Sequence, residues 1–203
     1  MFVYFEYLVY NLSMKKRTSY IIIATIIVVG IVLDLVSKKL FADYFLTHNN
    51  PIVVIPNFFV FTFVKNTGAA YGLFGDSTVM LSIVSIIFVV AFVVFDIFNH
   101  KNNWLYVFGI GFIISGAIGN LVDRLFLGYV RDFISIKLFS FVFNLADLFI
   151  TVGVICFLIY MLVLAIKERK EKNIDKNNNE WWRGSKARYL SSKTKSIQDS
   201  FAH

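Results

Sequence analysis

Residues 148–166 read LFITVGVICFLIYMLVLAI, nineteen positions without a charge, and residues 143–147 just before them read FNLAD. A helix needs about 20 apolar residues to cross the hydrocarbon core of a bilayer. The run therefore reads as a membrane span with an acid, Asp147, at its mouth. Three further windows approach or meet that length, at residues 20–36, 79–98 and 104–122.

Composition agrees with this reading. The chain has 203 residues, 58% of them hydrophobic and 18% aromatic, with only two prolines. Its mean hydropathy of +0.69 is too high for a soluble domain of this size. We expect an all-α membrane protein of four transmembrane helices, divided into an N-terminal segment 1–19, a membrane domain 20–166 and a basic tail 167–203. Residues 15–17 are basic and precede an apolar run, as in a secretory signal, but no small-residue cleavage pattern follows and the segment is expected to remain as the first span. Met14 is a second candidate for the start residue. Lys15, Lys16 and Arg17 before the first span, and ten Lys or Arg against five Asp or Glu after residue 166, predict that both termini are cytoplasmic. Residues 99–103 then lie inside, and 38–78 and 123–147 outside. Anionic lipid beside the span ends accounts for the net charge of +7, so no nucleic-acid partner is expected. Residues 177–179 are all Asn and the tail shows little periodicity, which predicts a segment that is mobile or loosely bound to the membrane surface, with Trp181 and Trp182 as interface anchors.

The lone cysteine, Cys156, allows no disulfide framework and is read as packing. His48, His100 and His203 stand apart with no ligand spacing, so neither a metal nor another cofactor is expected. Between the first two spans Phe59, Phe61, Phe63 and Lys65 alternate with Val60, Thr62, Val64 and Asn66, a period of two that indicates a strand. Asn66-Thr67-Gly68 follows as a turn. A small extracytoplasmic β element is expected there, its phenylalanines toward lipid or the helix bundle, covering whatever site the polar residues form.

Those polar residues converge on one face. Asp34, Asn120, Asp123 and Asp147 fall at the outer ends of spans, and Asn66, Arg124, Arg131, Asp132 and Asn144 in the outer segments. Acids beside spans are costly and mark functional sites. Plainer roles are also open: Asn144 as a helix N-cap with Asp147 three positions later, Asp34 with Lys38 as an i,i+4 ion pair, and Asp123 as a structural acid wanting Arg124 or Arg131. Gly116 and Gly119 offer a narrow face for helix packing. Asp132 and Asp147 are left, fifteen residues apart. If they meet, repulsion lets the pair share one proton, so that one takes a proton from water while the other donates to a carbonyl, with no metal and no covalent intermediate. A helix N-terminus favours Asp147 as the ionised member and leaves the proton to Asp132. Arg131, beside Asp132 in sequence, is expected to pull the Asp132 pKa down. A serine peptidase is disfavoured, because no Gly-x-Ser-x-Gly occurs and Ser115 has no histidine at a suggestive spacing.

At these residues the sequence resembles lipoprotein signal peptidase, also called signal peptidase II, over about residues 20–166. Asp34 with Lys38 matches the first-span acid and lysine of that family. Asn66-Thr67-Gly68-Ala69-Ala70-Tyr71 is similar to its Asn-x-Gly-Ala-Ala-aromatic stretch, and Gly119-Asn120-Leu121-Val122-Asp123-Arg124-Leu125 with Gly128-Tyr129-Val130-Arg131-Asp132-Phe133 to its third motif. Phe143-Asn144-Leu145-Ala146-Asp147 matches the fourth. The resemblance implies that Asp132 and Asp147 are the catalytic pair and that Asp34, Lys38, Asn66, Gly68, Ala69, Asn120, Asp123, Arg124, Asn144 and Ala146 support the site or the substrate. It further implies an aspartic endopeptidase of the bacterial cytoplasmic membrane that cuts diacylglyceryl-modified prolipoproteins just before the lipidated cysteine, and that globomycin inhibits. The chain departs from the pattern at Ser115, where a glycine is common, at Arg131, where an apolar residue is usual, and at Leu148, where a small polar one is. The rival readings are a proton-coupled transporter with Asp34, Asp123 and Asp147 as a relay, and a non-catalytic assembly protein whose acids only pair with Arg124 and Arg131.

Overall fold

Four helices long and apolar enough to cross a membrane carry the chain, and the connections at one end of them are zipped into a sheet. The computed structural model describes residues 13–68, 78–138 and 141–201, with side chains for all of these but 187 and 191–201. Ala69, Ala70 and Tyr71, named above, and the first twelve residues lie outside the described residues. In chain order the elements are α1 (Lys16–Thr47), β1 (Ile52–Ile55), β2 (Phe59–Asn66), α2 (Thr78–Asn99), α3 (Trp104–Leu127), β3 (Val130–Ile136), β4 (Val142–Phe143) and α4 (Leu145–Phe201). Each predicted span lies within one helix, and the helices overrun the apolar windows at most ends. By compactness the chain divides into two units, Met1–Tyr160 and Met161–His203.

Burial is ordered inside-out, as lipid solvent requires. In α2 only Ser82 and Asp96 are buried, while its Val, Ile and Phe side chains are largely exposed. With lipid as apolar as leucine, association must come from close packing and polar contacts. The central helix is α3, whose buried face includes Gly109, Gly116, Ala117 and Gly119. A methyl added at Gly116 would strike the Ala146 carbonyl and Ile150 of α4, and one at Gly119 would come 2.5 Å from Asp34 Oδ2 of α1. The expected narrow face is thus a close approach to two helices at once. α3 ends at Gly128, whose φ of 78° is open to glycine at little cost and whose N–H donates to Arg124 O (3.2 Å).

The sheet is antiparallel throughout, in the order β1-β2-β3-β4. Its first two strands come from the segment between α1 and α2, where a β element is expected; the other two, from the α3–α4 connection, are an addition to that expectation. In β2 and β3, Val64 pairs with Asp132, Lys65 with Arg131 and Asn66 with Val130. Phe61 and Phe133 pack against Phe41 of α1 with ring separations of 4.5 and 4.3 Å, and Phe59 packs on Phe61 (4.9 Å) and the same cluster. Phe59 and Phe61 thus turn to the bundle, and the sheet is fastened onto α1.

At the opposite end, where α2 meets α3, His100 ties three helices. Its Nδ1 lies 2.9 Å from Asp96 Oδ1 and its Nε2 2.7 Å from Ser19 Oγ, its ring stacks on Tyr20 at 3.9 Å, and Tyr106 OH donates to Asp96 (2.8 Å). Ser19 is fully buried, and this serine, histidine and aspartate, unforeseen in the sequence, clamp α1, α2 and α3 together.

The tail is helical, which its sequence did not indicate: α4 runs on through it to Phe201.

Candidate active site

The start of α4 sets the geometry. Asn144 is the residue before its first turn: Asp147 N donates to Asn144 Oδ1 (3.1 Å) and Asn144 N donates to Asp147 Oδ2 (3.0 Å). This reciprocal pair satisfies two orphan backbone donors of the helix end. The expected cap is therefore present, and it leaves the Asn144 amide nitrogen over. That Nδ2 donates to Asp132 Oδ1 (2.6 Å) and to Asn120 Oδ1 (3.0 Å). Asn120 Nδ2 in turn donates to Asp147 Oδ1 (2.7 Å), and Asn66 Nδ2 donates to Asp132 Oδ2 (2.8 Å). Asp132 and Asp147, which sequence could only list side by side, are thus joined through one asparagine. Asp132 is buried and Asp147 partly exposed.

Beneath the pair lies a charged layer. Lys38 is fully buried, 2.8 Å from Asp34 Oδ2 and 3.7 Å from Asp123 Oδ2, and it donates to Asn120 Oδ1 (2.9 Å). Asp34 Oδ1 accepts from the buried Ala146 N–H (2.9 Å). Asp123 accepts from Arg131 three times, from the backbone N–H (2.9 Å), from Nε (3.1 Å) and from Nη2 (2.6 Å). Charge-assisted forks of this kind hold geometry firmly. Two cations and two carboxylates cancel here, which is what burial demands.

This layer corrects one expectation. Arg131 does not sit on Asp132, because successive residues of a strand point to opposite faces; its guanidinium is taken by Asp123. Asp132 is instead raised from its ordinary 3.8 to about 6, chiefly by burial and also by the charge of Asp147, against the hydrogen bonds from Asn66 and Asn144 that hold it down. The i,i+4 pair of Asp34 and Lys38 is present, but its wider part, bridging α1 to Asn120 and Asp123 of α3, is 82 residues distant in sequence from the nearer partner and gives no local signal. Thr78 was also missed: its hydroxyl lies 2.9 Å from Gly128 O and 3.2 Å from Thr67 O, tying the start of α2 to the ends of α3 and β2.

Of the remaining residues named from sequence, Gly68 N donates to Asn66 Oδ1 (3.2 Å), a side-chain-closed turn that steadies the Asn66 amide against Asp132. Arg124 is partly buried in the last turn of α3 within the field of Asp147, Asp132 and Asp123. Ala69 lies outside the described residues. Asp34, Lys38, Asn66, Gly68, Asn120, Asp123, Arg124, Asp132, Asn144, Ala146 and Asp147 converge at the sheet end of the bundle.

Residues 26–163 match the family described as Signal peptidase (SPase) II. Proteins named lipoprotein signal peptidase are similar over most of their own length. That of Microcystis aeruginosa is 40% identical over 147 residues, 71% of this chain and 92% of its own. That of Clostridium novyi is 38% identical over 141 residues, 68% and 95%, and that of Desulfitobacterium hafniense 42% over 147 residues, 71% and 96%. A bacterial membrane enzyme solved by the in meso method at 2.3 Å superposes with a TM-score of 0.63 at 31% identity, covering 74% of this chain and 90% of that one.

Proposed function

Because the chain belongs to the signal peptidase II family, the lipoprotein signal peptidases, it is a bacterial membrane peptidase that processes lipoprotein signal peptides, and we propose that it does so with Asp132 and Asp147 as an aspartic pair. The observation that carries this reading is the Asn144 side chain and backbone, which hold both carboxyl groups at once.

The chemistry runs on one water and one shared proton. Asp147, the more exposed member, is the base that takes a proton from water as its oxygen attacks the scissile carbonyl. Asp132, which keeps its proton to about pH 6, gives it to the carbonyl oxygen, and a tetrahedral diol forms. Return of a proton to the amide nitrogen, with loss of the diol proton to the carboxylates, breaks the C–N bond and restores the pair. Asn66, Asn120 and Asn144 fix the carboxyl orientations, and Arg124 faces the substrate backbone. Asp34, Lys38, Asp123 and Ala146 are the floor. Gly68, through its N–H on Asn66 Oδ1, steadies the amide that meets Asp132.

The substrate is a precursor whose cysteine carries a diacylglyceryl group, cut just before that cysteine. Acyl chains kept in the bilayer hold the scissile bond at the membrane surface, the depth at which these polar residues gather. The basic residues 15–17 at the start of α1 and those after residue 166 support cytoplasmic termini and a site on the outer face. Globomycin, a cyclic peptide, is expected to inhibit this cleavage.

The test is cleavage of a diacylglyceryl-modified precursor by Asp132→Asn and Asp147→Asn proteins in proteoliposomes. Each is expected to lose turnover by at least three orders of magnitude, the scale at which removing a member of a catalytic unit acts, while melting as a folded protein. Retained cleavage by either would falsify the pair.

A further inference from the structure

The residues named in the site all precede residue 161, yet the composition of 161–203 is not that of an inert tail. Within ten residues it carries Trp181, Trp182, Tyr189 and Leu190, exposed by 61, 65, 64 and 51%. Among them stand Arg183, Lys186 and Arg188, with one nearby acid, Glu180. On a helix Trp182, Ser185 and Tyr189 follow the i, i+3, i+7 spacing, and Trp181, Ser185 and Tyr189 the i, i+4, i+8 spacing, so they share a face. Trp181, Trp182, Arg183, Ser185, Lys186 and Tyr189 line one open hollow. The two indole rings meet edge to face at 5.1 Å, and Ser185 Oγ is turned back onto Trp182 O (2.9 Å).

We propose that this aromatic and cationic face is a docking surface for an anionic phospholipid bilayer, along whose headgroup layer it lies. Indole and phenol rings favour the headgroup depth, where an apolar body and a polar tip are both solvated. Cations interleaved with them match the sign of an anionic leaflet, and the segment after residue 166 holds ten Lys or Arg against five Asp or Glu. The occupant is also tethered close by: Trp181 comes only fourteen residues after Lys167 in a membrane-inserted chain, so the bilayer is presented at high effective concentration. Docking requires α4, continuous to Phe201 in this structure, to bend between the span and Trp181, and Asn173 and residues 177–179, all Asn, lie there with low helix propensity.

The experiment uses the full chain with Trp104→Phe, so that Trp181 and Trp182 are its only indoles, in nanodiscs of zwitterionic lipid alone or with phosphatidylglycerol. Brominated acyl chains report contact with the bilayer, and iodide reports contact with water. Expected with phosphatidylglycerol are strong bromine quenching and protection from iodide, both reversed as salt shortens the Debye length to about 3 Å. The triple change Arg183→Gln, Lys186→Gln, Arg188→Gln is expected to weaken the association on the order of a hundredfold. Equal iodide access in the two lipids overturns the proposal. So does protection that persists in lipid-free detergent and grows with protein concentration, which would make the occupant a second copy. Precursor cleavage followed in the same discs keeps this result separate from the fate of the aspartic pair.

Discussion

Asp132 is held by two amides and by its burial, and the three pull in different directions. The amide hydrogen bonds from Asn66 and Asn144 favour the carboxylate, while loss of water and the charge of Asp147 favour the acid, and the acid wins up to about pH 6. A mechanism that needs the proton on Asp132 is therefore limited on the alkaline side. The kcat/KM for a modified precursor should fall as pH rises through about 6, approaching about tenfold per unit above it, with the apparent pKa belonging to the coupled pair. A profile flat from pH 5 to 8 would remove Asp132 from the role of acid. The same shift bears on stability with a fixed sign. The folded carboxyl keeps its proton above the ordinary 3.8, so what the protonated group contributes is lost as pH rises from there through about 6.

The first turn of α4 does two jobs with one residue, and they can be separated. Asn144→Ala removes the cap, worth about 1 kcal/mol, and also the bridge to Asp132 and Asn120. Serine at 144 can still cap through its hydroxyl but has no amide to span the carboxylates. Asn144→Ser should therefore regain most of the stability that Asn144→Ala loses, and little of the turnover, as thermal melts and precursor cleavage on the same preparations will show. Elements of this kind were only partly legible in the sequence. The spans declare themselves because lipid requires long uncharged runs, and β2 because its phenylalanines alternate. Strand β3 is hidden: Val130, Asp132, Phe133 and Ile134 are all buried, so no alternation marks it, and its partner lies 66 residues away at the Asn66 to Asp132 contact. The polar residues that the structure gathers were legible as an ordered set of motifs, whereas Arg131 was misread, since adjacency in sequence means opposite faces in a strand. The helix through 167–201 was missed because asparagine-rich, mixed-charge sequence carries no strong period.

Across the whole molecule, one ammonium joins the helices. Lys38 on α1 reaches Asp34 on its own helix and Asn120 and Asp123 on α3, with no exposure to solvent. Replacing it with methionine leaves Asp34 without its partner in a buried setting, at a cost of about 3–5 kcal/mol. Lys38→Met should therefore melt well below the parent and be cut faster by added protease. The double change Lys38→Met, Asp34→Asn should recover much of that loss, because the stranded charge is gone; a double variant as weak as the single one would show that packing rather than charge is at stake.

The buried lysine also has a meaning for the cell. Until the first and third helices meet, Asp123 lacks this cation and Lys38 lacks a second anion, so the unfinished protein displays mismatched ionic groups within reach of lipid. Variants in which the first and third helices fail to meet are therefore expected to expose these groups and to be degraded faster in the membrane than the completed protein, as pulse-chase labelling will show.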